Sequence, residues 1–172
     1  HYMRLGGVFD HIGLGFHRYS TDKRWFLPHF EKMLYDQAMI SMACLEAFQF
    51  TKNEKYATMA REIFTYVLRD MTDKDGGFYS AEDADSEGEE GIFYIWTEKE
   101  LVEILGEDEG QKLAKVFGFT RVGNFQEEAS GHTTGNNIPY FPRDREILAK
   151  KSEMNLNDFN AFIEKSRQKL FA

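Results

Sequence analysis

The chain is poor in several things, and each shortage excludes something. One cysteine, Cys44, stands among 172 residues, so no internal disulfide can form and a reduced, cytoplasmic setting is the expectation. Its neighbours Met42, Ala43 and Leu45 carry no positive charge to lower a thiol pKa, so Cys44 reads as a small buried hydrophobe. No apolar run approaches the roughly 20 residues that span a bilayer, and no leader pattern opens the chain, so a membrane is not an expected partner. Cations are scarce too: 21 Lys and Arg face 29 Asp and Glu, a net charge of −8. A phosphate backbone would find no basic cluster to displace its counterions, which excludes nucleic acid. Of the three prolines, none falls between Pro28 and Phe50.

What is present suits a globular chain, since 42% hydrophobic content over this length supports a core. Beginning at His1 and closing in a helical pattern, it is expected to be a single segment, 1–172, of a larger helical domain. Its densest chemistry lies from Gly6 to Gln37, where three of the five histidines and several carboxylates sit among paired glycines and aromatics. Residues His1 to Leu27 read as an ordered, glycine-punctuated loop. Arg18 stands where a dinucleotide fingerprint needs its third glycine, so no Rossmann site is expected.

Pro28 suits the first turn of a helix, and the pattern from there to Phe50 has no breaker. Phe30, Met33, Leu34, Gln37, Ser41, Leu45 and Phe48 form one seam. In that helix His29, Lys32 and Asp36 line up on the opposite face, and the stripe continues as Met39, Ile40 and Ala43. Such a helix, apolar nearly all round, is expected to be buried on most sides. A second helix follows, with Tyr56, Met59, Ala60, Ile63, Phe64, Val67, Leu68 and Met71 inward, giving an αα-hairpin. Two short strands, around Phe78–Tyr79 and Ile92–Trp96, are expected to flank an acidic loop. Thr97 and Glu100 make a capping box for a helix ending at Gly106. Further helices are expected over 109–117, 143–151 and 158–170, with irregular chain over 118–143.

The later helices are too short to surround the inner helix. The expected fold is therefore mainly α, a partial (α/α) toroid with a short β-hairpin, whose open face is covered by later hairpins or by self-association.

Three constellations carry chemistry. His17, Arg18, Tyr19, Trp25, His29, Lys32, Tyr35 and Asp36 bring proton carriers, charges and aromatic faces to the expected helix mouth, a setting suited to a small molecule or to a hydrogen-bonded structural cluster. His1 and His132 stand apart in the sequence from the other candidates and are expected at the surface. Glu82, Asp83, Asp85, Glu87, Glu89 and Glu90 form the acidic loop. Asp83, Asp85 and Glu87 mimic the opening of a calcium loop, but Tyr94 stands where its bidentate Glu belongs, and the alternative register begins at Met71. Asp83 and Asp85 on one face of an extended segment lie about 6.6 Å apart, within the roughly 5 to 9.5 Å span of a glycosidase pair; Asp10 and Asp36 are further candidate partners. No zinc-ligand spacing occurs, and neither a metal nor a cofactor is expected.

The blocks GGVFDHIGLGFHRYSTDKRWFLPHFEKMLYDQA and DGGFYSAEDADSEGEEGIFYIWT closely resemble the spermatogenesis-associated thioredoxin-domain-containing family, whose bacterial members are called YyaL-like. The resemblance implies a helical region similar to six-hairpin glycosidases and N-acylglucosamine 2-epimerases, of which this chain is the first part. The thioredoxin-like domain and the later hairpins of that family have no counterpart in these residues. By this resemblance the chain is part of a carbohydrate-active protein, epimerase-like or glycosidase-like, with a sugar as its ligand. His17 or His29 would carry the proton and Asp83 or Asp85 would be the carboxylate partner. Arg18, Tyr19, Trp25, Lys32, Tyr35, Asp36, Tyr94 and Trp96 would hold the substrate. The alternative is a non-catalytic scaffold that accompanies a thioredoxin-like domain.

Overall fold

A computed structural model describes residues 1–86, 88–126 and 132–172. The expected calcium-loop position Glu87 and part of the irregular stretch after Gly118 lie outside the described residues. The fold is mainly helical. A short α1, Tyr2–Leu5, leads into a long ordered loop, followed by the αα-hairpin of α2, Leu34–Thr51, and α3, Glu54–Asp70. A second helical group comprises α4, Glu98–Leu105, α5, Glu107–Val116, α6, Arg145–Lys151, and α7, Leu156–Phe171. Among the described residues no helix is long and apolar enough to cross a membrane.

Local rules account for the helix ends. Asn53 Oδ1 accepts the Lys55 N–H at the start of α3. At α4, Thr97 Oγ1 accepts the Glu100 N–H at 3.2 Å while Glu100 Oε2 accepts the Thr97 N–H at 2.7 Å, the reciprocal box read from the sequence. Gly106, at φ 87°, ends α4, and α5 starts at once.

The start of α2 is a correction. Pro28 opens no helix: Pro28–His29 forms strand β2, antiparallel to β1, Tyr19–Ser20, and Lys32–Met33 forms β3. Burial alternates along the run, with Pro28, Phe30 and Lys32 inward and His29, Glu31 and Met33 outward, which is a strand period. Proline at φ near −65° is as much at home in an edge strand as in a first helical turn, and its missing N–H costs an edge nothing. His29, Lys32 and Asp36 therefore share no helix face, and only Asp36 lies on α2.

The expected strands are also relocated. β3 pairs with β4, Ala81–Glu82, and a small hairpin of β5, Asp85–Ser86, and β6, Glu89–Glu90, sits inside the acidic run. Ile92–Tyr94 is a 3-10 turn rather than a strand. The cause is Gly91, at φ 77°: a Cβ there would stand 2.3 Å from the Phe30 ring, so only glycine lets the chain turn back at this point.

Three apolar clusters hold the fold. Val8, Phe9, Leu14 and Phe16 of the N-terminal loop pack on Ile63, Tyr66 and Met71, so this loop is core rather than surface. Phe26 and Phe30 pack with Ala84, Tyr94 and Ile138. Leu101, Leu113, Phe117, Phe141, Phe159 and Ile163 join α4 to α7. The inner helix is less covered than its composition predicts. Gln37, Ser41 and Cys44 are buried, but Met39 and Met42 are 65% and 55% exposed, and Phe50 is exposed outright. On α3, Phe64 and Leu68 also face outward, and the inward stripe is Ala57, Ala60, Ile63 and Tyr66.

Candidate functional site

The N-terminal loop, β3 and α3 meet around a buried lysine. Lys32 Nζ donates to Asp10 Oδ2 at 2.8 Å and to the Leu14 carbonyl at 3.0 Å, and it lies 4.4 Å and 4.7 Å from the Tyr66 and Tyr94 ring centres. The two tyrosine hydroxyls converge on one carboxylate: Tyr66 donates to Glu82 Oε2 at 2.5 Å, and Tyr94 donates to Glu82 Oε1. Burial, then the Glu82 carboxylate, pushes both phenols above their usual range. Burial alone would raise the Asp10 carboxyl, but the adjacent Lys32 and hydrogen bonds from Lys32 and the Gly13 N–H hold it below its ordinary value.

His17 belongs to the same knot. Its Nδ1 donates to the Phe30 carbonyl at 3.0 Å, and its ring meets Tyr94 edge-on at 4.6 Å. Burial, with the Lys32 charge beside it, takes its pKa from 6.5 to about 3, so the ring is neutral near pH 7. Gln37 closes the arrangement from α2, where its side chain accepts the Phe16 N–H at 2.9 Å and donates to the Phe16 carbonyl at 2.6 Å. Lys32, His17 and Tyr94 are thus held inside, bonded to protein, rather than presented to a ligand.

An outer rim lies over this knot. Tyr19 and His29, opposite one another in the β1–β2 register, stack with ring centres 5.0 Å apart and planes 20° off parallel. His29 Nδ1 pairs with Glu90 Oε1 at 2.7 Å. Arg18 Nη1 donates to Glu31 Oε2 at 2.8 Å, and Tyr35 is 50% exposed beside it. Asp36, in the first turn of α2, is the exception to this pairing. Its Oδ2 is shielded from solvent and meets no donor among the described residues. Burial raises its pKa, nearby Glu31 adds to the rise, and Arg18 opposes it.

The remaining expected residues are scattered. Asp83 and Asp85 are exposed, and Asp83 Oδ1 caps the Asp85 N–H at 3.2 Å. They take no part in the knot, whose carboxylates are Asp10 and Glu82. Trp25 is 40% exposed at φ 63°, in a turn whose Arg24 and Phe26 N–H groups bond Asp22. Trp96 exchanges backbone hydrogen bonds with Asn137 and packs against the α4–α7 core. None of the twelve residues borders the cleft of about 1210 Å³ between α5, α6 and the N-terminal loop, or the smaller cavity of about 270 Å³. Sequence reasoning missed Asp10, Tyr66 and Glu82 as a unit. Tyr66 had a signal, since it continues the every-third spacing of Ala57, Ala60 and Ile63, but the two acids looked like neighbours of better candidates.

The class defined by these features is a mainly helical chain, built on an αα-hairpin, with a buried ionic knot under a polar, aromatic rim. Over 98% of its length the chain is 41% identical to spermatogenesis-associated protein 20 of Mus musculus and 40% identical to the protein of that name from Homo sapiens. It is 37% identical, over 86% of its length, to an uncharacterised protein of Caenorhabditis elegans. These matches support the family that the two sequence blocks resemble. The chain spans about a quarter of the length of the curated mammalian relatives it matches, 24% in each case. No family model matches the chain.

Proposed function

We propose that this chain is the first part of an (α/α) toroid in a protein that binds and transforms a sugar, and that the rim of Tyr19, His29, Arg18, Tyr35 and Asp36 is one wall of its site. The observation that carries this reading is Asp36. A carboxyl of raised pKa, with one oxygen sealed from water and without a donor among the described residues, suits a general acid. Beside it stand the Arg18 guanidinium and the exposed Tyr35, and the Tyr19–His29 stack adds a flat ring face for a pyranose. The uncovered apolar side of α2 supports the toroid, because Met39 and Met42 need a neighbouring helix to bury them.

A second reading, a non-catalytic scaffold accompanying a thioredoxin-like domain, is favoured by the saturation of the inner knot. Lys32, His17, Tyr94 and Glu82 are all spoken for by protein groups. Calorimetric titration of the full-length chain with neutral sugars and amino sugars separates the two. Saturable binding that Asp36→Asn weakens about tenfold, the loss of one charged hydrogen bond, supports the sugar site. Binding by no sugar, or undiminished binding by Asp36→Asn, leaves the scaffold.

A further inference from the structure

The cavity of about 270 Å³ lies away from that rim, where α3 faces α6 and α7. Leu5, Met59 and Leu156 give it apolar walls. Its charged lining is paired group by group: Arg4 is bidentate on Glu62 at 2.9 and 2.7 Å, Lys55 meets Glu146 at 2.8 Å, and His1 meets Asp144 at 2.6 Å. Arg145 is the exception. It is partly buried, yet among the described residues no carboxylate makes an ion pair with it. Its one side-chain hydrogen bond among the described residues, from Nη1 to Asn160 Oδ1, is long at 3.4 Å, and its guanidinium lies 5.0 Å from the Phe141 ring centre. A guanidinium has five N–H donors in a fixed fork, so most of this one is unused. None of its nitrogens is sealed from solvent without a partner, so the unused donors are reachable from outside.

We propose that this cavity binds a small organic monocarboxylate, its two oxygens on the Arg145 fork and its apolar body against Leu5, Met59 and Leu156. The fork matches a carboxylate in two parallel hydrogen bonds. Burial, and the charge of Arg4 beside it, lower the Arg145 pKa to about 10, against the opposing charges of Glu62, Glu164 and Glu146, none of which closes to an ion pair with it among the described residues. Glu54, Glu62, Asp144 and Glu146 line the same cavity, so a dianion such as phosphate meets more repulsion there than a monocarboxylate does. The volume falls just below the roughly 300 to 1,000 Å³ of drug-sized sites, so the ligand is small. The proposal stands independently of the sugar reading.

The test is calorimetric titration of the full-length chain with butyrate, against butyramide and inorganic phosphate. Butyrate should bind saturably, with butyramide and phosphate at least tenfold weaker. Arg145→Lys, which keeps the charge and loses the fork, should weaken butyrate about tenfold. Leu156→Trp adds bulk to the apolar wall of the cavity and should weaken butyrate at least tenfold while the melting temperature is kept. Absence of saturable butyrate binding, phosphate binding as tight as butyrate, or unchanged binding by either variant would overturn the assignment.

Discussion

Lys32 Nζ stands 2.8 Å from Asp10 Oδ2, and the two side chains are 2% and 9% exposed. The pair ties the N-terminal loop to β3 at the junction on which the rim rests. Its worth shows when one partner is removed: Lys32→Met strands the Asp10 carboxylate inside and should lower unfolding free energy by about 3 to 5 kcal/mol. Asp10→Asn in the Lys32→Met background should restore part of that loss. Urea denaturation of the four members of the cycle measures the coupling, and additive losses would show that the pair does not act as one unit.

The buried histidines give a pH dependence with a definite sign. His17 is lowered from 6.5 to about 3, and His11, bonded to the Gly6 carbonyl and Arg4, is lowered as well, chiefly by burial. Below pH 6.5 the unfolded chain takes up protons that the folded chain refuses, so their stabilisation is full above that pH and is lost as pH falls, for His17 toward about 3. The unfolding free energy from urea denaturation should decline across that window, by up to about 1.4 kcal/mol per pH unit for each histidine so held. His17→Gln should flatten the decline, and an unchanged slope would place His17 outside this linkage.

Gly15 is a backbone position with no room for error. Its φ is 79°, and a Cβ would stand 2.6 Å from the Tyr66 ring that covers Lys32. Gly15→Ala should cost about 1 to 3 kcal/mol from left-handed strain and displacement of the ring. A destabilisation no larger than that of Gly77→Ala, where a Cβ meets nothing, would contradict this account.

How far the sequence was legible depended on whether a signal was local. The capping box at Thr97 and Glu100 and the stop at Gly106 lie within single turns, so α4 could be read directly. The start of α2 could not, because its strand alternation is disguised by Lys32, a charged residue at an inward position. What makes that position tolerable is Asp10 and the Leu14 carbonyl, brought close only by the fold. The acidic block shows the same limit. Glu82 reads like its neighbours, yet it alone receives the hydroxyls of both Tyr66 and Tyr94, whose positions come from α3 and from the turn after Gly91. Asp36 was legible as a candidate, but its sealed oxygen follows from where β3 hands over to α2 at Leu34, six residues later than the start expected at Pro28.

The uncovered side of α2 yields a prediction that separates a toroid segment from a free-standing domain. Met39 and Met42 lie three apart on the helix, 65% and 55% exposed, with Leu45 next at 40%. If neighbouring hairpins bury this stripe in the full-length chain, Met42→Lys there places an unpaired charge in an apolar contact and should cost about 3 kcal/mol or more. In chain 1–172 produced alone the same substitution touches only an open surface. It should leave the unfolding free energy within about 0.5 kcal/mol of the parent and suppress self-association, read by sedimentation velocity over a concentration series. Equal effects in both contexts would mean that the stripe faces solvent in the full-length chain as well, and the toroid would lose its main support.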